Sequence, residues 1–169
     1  MNLIRCMGNS VKVIKSKGTE LAKNLFSEVI GLEARNAQLG YGSFITLDFG
    51  KDILIKGKKP SNDFKIGEWH LWVYTCTWRL EQNGDPIVEA GDERNTLQLT
   101  IPLLTEKLLQ VKLFNNSFDI TFDFEEGYRL LLFSFTVADD EQWMFFTPNR
   151  KVFTAGPGKN WKYEDASPP

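Results

Sequence analysis

Apolar positions recur along this chain with two different periods, and the switch between them separates a short helical head from a long β-rich body. Leu21, Leu25, Phe26, Val29 and Ile30 stand three to four residues apart, which predicts an amphipathic helix with these side chains on one face. Thr19 reads as its N-cap and Gly31 as its stop. Residues 43–49 change to strict alternation, with Ile45, Leu47 and Phe49 on one side and Phe44, Thr46 and Asp48 on the other. Gly50-Lys51 then reads as a short link, so that 43–49 and 52–56 form a hairpin.

Residues 57–67 carry Pro, Gly, Ser, Asn and Lys, a loop composition. Residues 68–80 are apolar on both faces, which predicts one central strand covered on each side: Trp69, Leu71 and Val73 point one way, and Trp72, Tyr74, Cys76 and Trp78 the other. Residues 82–95, with Asn83-Gly84-Asp85-Pro86, read as loop. Pro102 keeps 95–107 out of a central strand and suits the first turn of a short helix. Residues 108–114, 118–124, 128–135, 142–147 and 152–154 are strand-length runs parted by short polar links. Links that short force antiparallel neighbours, because a parallel crossover needs a dozen or more residues. The pattern predicts an α+β fold, a mainly antiparallel sheet or partly closed barrel with an N-terminal helix. One domain covers 1–156, and 157–169 form a loose polar tail.

Composition sharpens this. Thirteen Phe, five Trp and four Tyr are heavy aromatic usage, and most fall in the strand-like runs, where flat, stiff side chains pack well. A net charge of −2 provides no basic stripe for nucleic acid. No apolar run approaches the ~20 residues that span a bilayer, and residues 1–17 lack the apolar core of a signal peptide. Cys6 and Cys76 are therefore expected as free thiols in a cytoplasmic protein.

Three segments carry a resemblance. They are Gly67-Glu68-Trp69-His70-Leu71-Trp72-Val73-Tyr74-Thr75-Cys76-Thr77-Trp78-Arg79, Ser43-Phe44-Ile45-Thr46-Leu47-Asp48-Phe49-Gly50, and Asp139-Asp140-Glu141-Gln142-Trp143 with its following aromatic pair. In that combination the chain resembles a group of small bacterial β-rich proteins of unassigned function, over roughly residues 21–153. The resemblance implies a fold and a bacterial origin, and supplies no catalytic residues. In general build the chain is also similar to immunity proteins of toxin systems, an analogy at the level of fold alone.

The candidate chemistry is sparse. Asp119, Asp123 and Glu125 share one face of the 118–124 run, where carboxylates can bind a hard cation or act as an acid/base pair, or else form the solvated side of a half-buried strand. His70, the single histidine, is a candidate general base or metal ligand, but it lies beside Glu68 and Trp72 on one strand face without a metal-ligand cluster in sequence, so no metal site is expected and a structural or surface histidine is favoured. Cys76 lies about 20 Å from it along the strand at ~3.3 Å per residue, too far for a Cys–His pair. Trp69, Trp72, Tyr74, Trp78 and Trp143 would line a ligand cavity if the sheet closed into a barrel, and are otherwise core. No phosphate loop, dinucleotide fingerprint or nucleophile elbow is present, and no cofactor is expected. The sequence thus favours a non-enzymatic interaction module with a protein partner, possessing an immunity-like build. A small apolar-ligand-binding barrel and an enzyme using the carboxylate face are the alternatives.

Overall fold

The computed structural model describes residues 9–56, 59, 61, 63–114, 118–134 and 139–166, with side chains from Lys17 onward. Helix α1 (Asn9–Ser27) leads into β1 (Arg35–Leu39), β2 (Ile45–Ile55), β3 (Phe64–Val73), β4 (Thr77–Gln82) and β5 (Asp85–Glu89). Helix α2 (Arg94–Thr100) and a 3-10 turn (Ile101–Leu103) precede β6 (Leu108–Leu113), β7 (Ile120–Phe124), β8 (Tyr128–Phe133), β9 (Trp143–Phe146), β10 (Lys151–Ala155) and β11 (Trp161–Asp165). The strands form two antiparallel sheets, in the orders β1-β2-β3-β9-β10-β11 and β5-β4-β8-β7-β6. Neither closes into a barrel, so the α+β architecture stands and the partly closed barrel does not.

The inner faces share one core. Leu47, Phe49, Leu71, Trp143, Phe145 and Phe153 of the first sheet and Trp78, Leu80, Ile120, Phe122 and Leu132 of the second are 2% exposed or less. Phe26, from the apolar face of α1, enters between them. Its ring lies 5.3 Å from Phe122, 5.6 Å from Trp143 and 4.4 Å from Phe145. Of the five positions read as one helix face, Phe26 and Val29 are buried and Leu21 and Leu25 half-buried, whereas Ile30 is 45% exposed and, like Val29, lies past the end of the helix.

The helix nevertheless runs well before Thr19, which is an interior residue. Gly18 is no boundary either. It sits where a Cβ would overlap the Trp161 indole, so its missing side chain lets β11 approach the helix. The helix ends at Ser27, and Gly31 instead closes the turn that follows, at φ +89°, with its N–H donating to the Leu108 carbonyl at 2.7 Å.

Four further expectations are corrected. Gly50-Lys51 is a bulge within one long strand, since Phe49 pairs with Trp69 and Asp52 with Gly67. Gly50 takes φ +76° there, which lets a single extra residue be absorbed without breaking the ladder. Residues 68–80 are not one strand. The chain leaves the first sheet after Val73 and enters the second at Thr77, tied between by Tyr74 and Thr75 N–H groups donating to the Gln142 carbonyl at 2.9 and 3.2 Å. Asn83-Gly84 is a two-residue hairpin turn with both residues at positive φ, and Pro86 falls on the edge strand β5, where its missing N–H costs no ladder bond. The loose tail is replaced by β11, an edge strand in continuous register with β10 from Lys151↔Asp165 to Ala155↔Trp161. The ambiguous 95–107 stretch is α2 followed by the 3-10 turn, with Pro102 in the turn's first positions.

No helix among the described residues is long and apolar enough to cross a membrane.

Candidate functional site

The outer face of the first sheet departs from a simple solvated surface. Strand alternation turns Leu47, Leu71 and Phe145 into the core and therefore turns Thr46, Asp48, His70, Trp72 and Phe146 outward. Register then lays them in two rows across the sheet. One runs Asp48, His70, Phe146; the other runs Thr46, Trp72, Met144.

Asp48 and His70 are directly paired residues, and their side chains meet: His70 Nδ1 lies 2.6 Å from Asp48 Oδ1. The second carboxylate oxygen accepts a hydrogen bond from Asn36 Nδ2 at 2.9 Å. Asn36 reaches it because β1 is irregular between Arg35 and Gln38 and Asn36 adopts φ +49°, a left-handed conformation that asparagine tolerates. Asp48 is only 4% exposed at its side chain and His70 only 14%. In the neutral ring, a carboxylate that accepts from Asn36 and from Nδ1 keeps the imidazole proton on Nδ1 and leaves Nε2 as the acceptor. Among the described residues Nε2 has no hydrogen-bond partner.

These side chains open onto a cleft of about 390 Å³ whose walls include Gln38, Thr46, Phe64, Ile66, Trp72 and Phe146. Beyond the Gly50 bulge, β2 and β3 continue as a two-stranded ribbon, pairing Ile53 with Ile66 and Ile55 with Phe64. That extension supplies the Phe64 and Ile66 wall. Arg35 holds its base, donating from Nη1 to the Gly50 carbonyl at 2.6 Å and from Nη2 to Asp52 Oδ1 at 2.7 Å. Gly67 permits the close crossing at its root, since a Cβ there would stand 2.7 Å from Asp48 Cβ and 2.8 Å from the Phe49 carbonyl oxygen. The His70 ring rests 5.7 Å from the Phe146 ring, which limits its rotation. The result is a groove in which the Phe64, Ile66, Trp72 and Phe146 side chains share the lining with polar groups, Lys65 and Gln38 among them, and with the His70 imidazole.

The other sequence candidates separate. Trp78 and Trp143 are core residues of different sheets, their indole N–H groups donating to the Ser43 and Phe118 carbonyls at 2.6 and 2.9 Å. Trp69 is half-buried and stacks on Phe145 at 5.4 Å from the inner side. Tyr74 packs between Phe44 and Trp72 at the corner. Of the five aromatics only Trp72 lines the cleft.

The carboxylates are likewise divided. Asp123 is bracketed by Arg129 Nε at 2.5 Å and Lys112 Nζ at 3.2 Å. Desolvation works to raise its pKa, but the hydrogen bonds from Arg129 and Lys112 prevail and hold it below the usual carboxylate range. Asp119 Oδ1 accepts from the Ser134 N–H at 2.6 Å, and Glu125 faces Lys107 at 3.5 Å in the open. Three carboxylates, each with its own partner, make no shared acid/base or cation site, and the described residues hold no metal-binding cluster. Cys76 is buried and unbridged, its thiol pKa pushed up to about 12 chiefly by burial. Cys6 lies outside the described residues.

Comparison with protein-family models, curated proteins and solved structures gives no match. The resemblance to a bacterial group therefore contributes nothing to the reading of the site, which rests on geometry.

Sequence reasoning weighed His70 but missed Asp48, Asn36 and Phe146. The available signal was a single acid on the outward side of an alternating strand, Asp48 among Phe44 and Thr46. It becomes informative only once register sets it opposite the histidine.

Proposed function

We propose that the protein binds a small molecule with an aryl or branched aliphatic body and a hydrogen-bonding group, held in the cleft over β3. The observation that carries this is the oriented His70 Nε2 acceptor in the floor of a groove walled by Trp72, Phe146, Phe64 and Ile66. Apolar walls with a few fixed polar groups are the usual makeup of small-molecule sites, and the volume falls in their ~300–1,000 Å³ range.

Because His70 is the single histidine, its ring Hε1 proton is an unambiguous NMR reporter. Titration with small aryl and branched-alkyl amides, carboxylates and alcohols is expected to move that signal saturably, and Trp72→Ala to remove the response. A panel in which every binder leaves His70 unmoved overturns the reading.

A protein partner is the second reading, favoured by Ile53, Leu54 and Phe64, which are 40%, 51% and 42% exposed on the ribbon. Cross-linking of the tagged full chain in native extract should yield a defined partner that Ile53→Ser/Leu54→Ser loses. Equal capture by both proteins would refute it.

A further inference from the structure

We propose that Asp48 and His70 are a general-base pair that hydrolyses carboxylic esters of aryl or branched-alkyl type, an activity that rests on the cleft being a ligand site. Three observations converge. The imidazole is oriented from behind at 2.6 Å by a carboxylate, and that carboxylate is itself secured by Asn36 at 2.9 Å, so neither group is free to turn away. The proton is thereby placed on Nδ1, and the basic lone pair of Nε2 is left without a partner among the described residues. The ring is nevertheless 14% exposed, at the cleft rather than in the core. Simple recognition needs an acceptor in the floor. A buried acid behind the histidine adds what a base requires, a counter-charge for the imidazolium that forms when it takes a proton.

No serine or cysteine stands among the described lining residues, and we assign water as the nucleophile. Water bound against Nε2 adds its oxygen to the ester carbonyl carbon while its proton passes to Nε2, and the carbonyl π pair moves onto oxygen. The Lys65 ammonium, the Gln38 carboxamide and the Thr46 hydroxyl, all in the cleft lining, are donors available to that oxyanion. Collapse restores the C=O bond and breaks the bond to the alkoxy oxygen, which takes the proton back from Nε2. Ester and water become acid and alcohol, and the histidine ends neutral. The aromatic walls select an aryl or branched group on either side of the ester.

The test uses the full chain with 4-nitrophenyl isobutyrate, followed by release of nitrophenolate at neutral pH. Saturable hydrolysis is expected, faster than with an equal concentration of imidazole. His70→Gln should lower kcat by on the order of 10²-fold or more, the usual scale of general acid–base catalysis. Asp48→Asn should lower kcat with KM little changed. Hydrolysis by the wild type no faster than by imidazole overturns the proposal, as does an undiminished rate in His70→Gln. The imidazole comparison needs no variant, so it decides even if Asp48→Asn fails to fold. The amide analogue, N-(4-nitrophenyl)isobutyramide, separates the two readings through the Hε1 signal of His70. If it binds there while the ester is not cleaved, catalysis falls and ligand binding stands; if it does not bind and the ester is not cleaved, both fall.

Discussion

Asp48 on β2 and His70 on β3 are cross-strand partners twenty-two residues apart in sequence, and their side chains meet at 2.6 Å on the outer face of the first sheet. A carboxylate in that place sets the tautomer of the ring. In ¹⁵N-detected spectra of the histidine, Nδ1 is expected to carry the proton and Nε2 to show the shift of an unprotonated nitrogen. Asp48→Asn should mix the two tautomers. A protonated Nε2 in the wild type would contradict the arrangement and with it the base role.

Gly67 is where the ribbon root crosses Asp48. A methyl group there meets backbone as well as the Asp48 side chain, at 2.7–2.9 Å, so the neighbours cannot give way cheaply. Gly67→Ala is expected to destabilise the fold by roughly 1–3 kcal/mol, the range for overpacking, and to move the His70 Hε1 signal. Gly91→Ala, at a glycine with open space around it, is the control and should do neither. Chemical denaturation with NMR of both variants checks the pair.

Asp123 predicts a pH dependence with a definite sign. Its pKa in the folded state is lowered, so its stabilising effect is complete above the unfolded carboxylate pKa and is lost as pH falls through the folded one. The stability difference between wild type and Asp123→Asn should be level through neutrality and shrink only in acid. Because Arg129 and Lys112 are about half exposed at 44% and 50%, that difference should be only about 1 kcal/mol. Urea melts over an acid series measure it. A difference that grows toward acid would reverse the assignment.

Cys76 should be inert in the native protein. With its thiol pKa pushed up to about 12, almost no thiolate exists at neutral pH, and burial blocks reagents as well. In a Cys6→Ser background, Ellman's reagent is expected to react slowly with folded protein and to count one thiol after denaturation. Rapid native labelling would show that the Tyr74–Cys76 corner opens.

Trp78 spans the two sheets, buried in the core with its indole N–H on the Ser43 carbonyl at 2.6 Å. Trp78→Phe removes the donor and part of the volume, and Trp78→Ala should cost about 3–5 kcal/mol. Thermal melts check it: an alanine variant that melts like the wild type would show that Trp78 contributes nothing to the core.

The periodicity of the sequence by itself determined the strand-length runs of the C-terminal half and the antiparallel pairs β6–β7, β7–β8 and β9–β10, but not that β8 and β9, read as neighbours in one meander, lie in different sheets. Alternation and short polar links leave little freedom at 108–113, 120–124, 128–133, 143–146 and 151–155. It also determined the apolar helix face that delivers Phe26 to the core. The division of 68–80 between two sheets was not legible, because both halves are apolar on both faces and the corner at Tyr74–Cys76 contains neither Gly nor Pro. What turns it is a pair of hydrogen bonds to Gln142, some seventy residues away. The polar strand β11 escaped notice because an edge strand with one face in solvent needs little apolar content. The site depended most on tertiary structure. A hairpin at Gly50-Lys51 would have paired 43–49 with 52–56; the bulge instead carries β2 onward and brings Asp48 opposite His70. Since a one-residue slip reverses every side chain of a strand, it is register, a property of two strands together, that decided whether an aspartate and a histidine would meet.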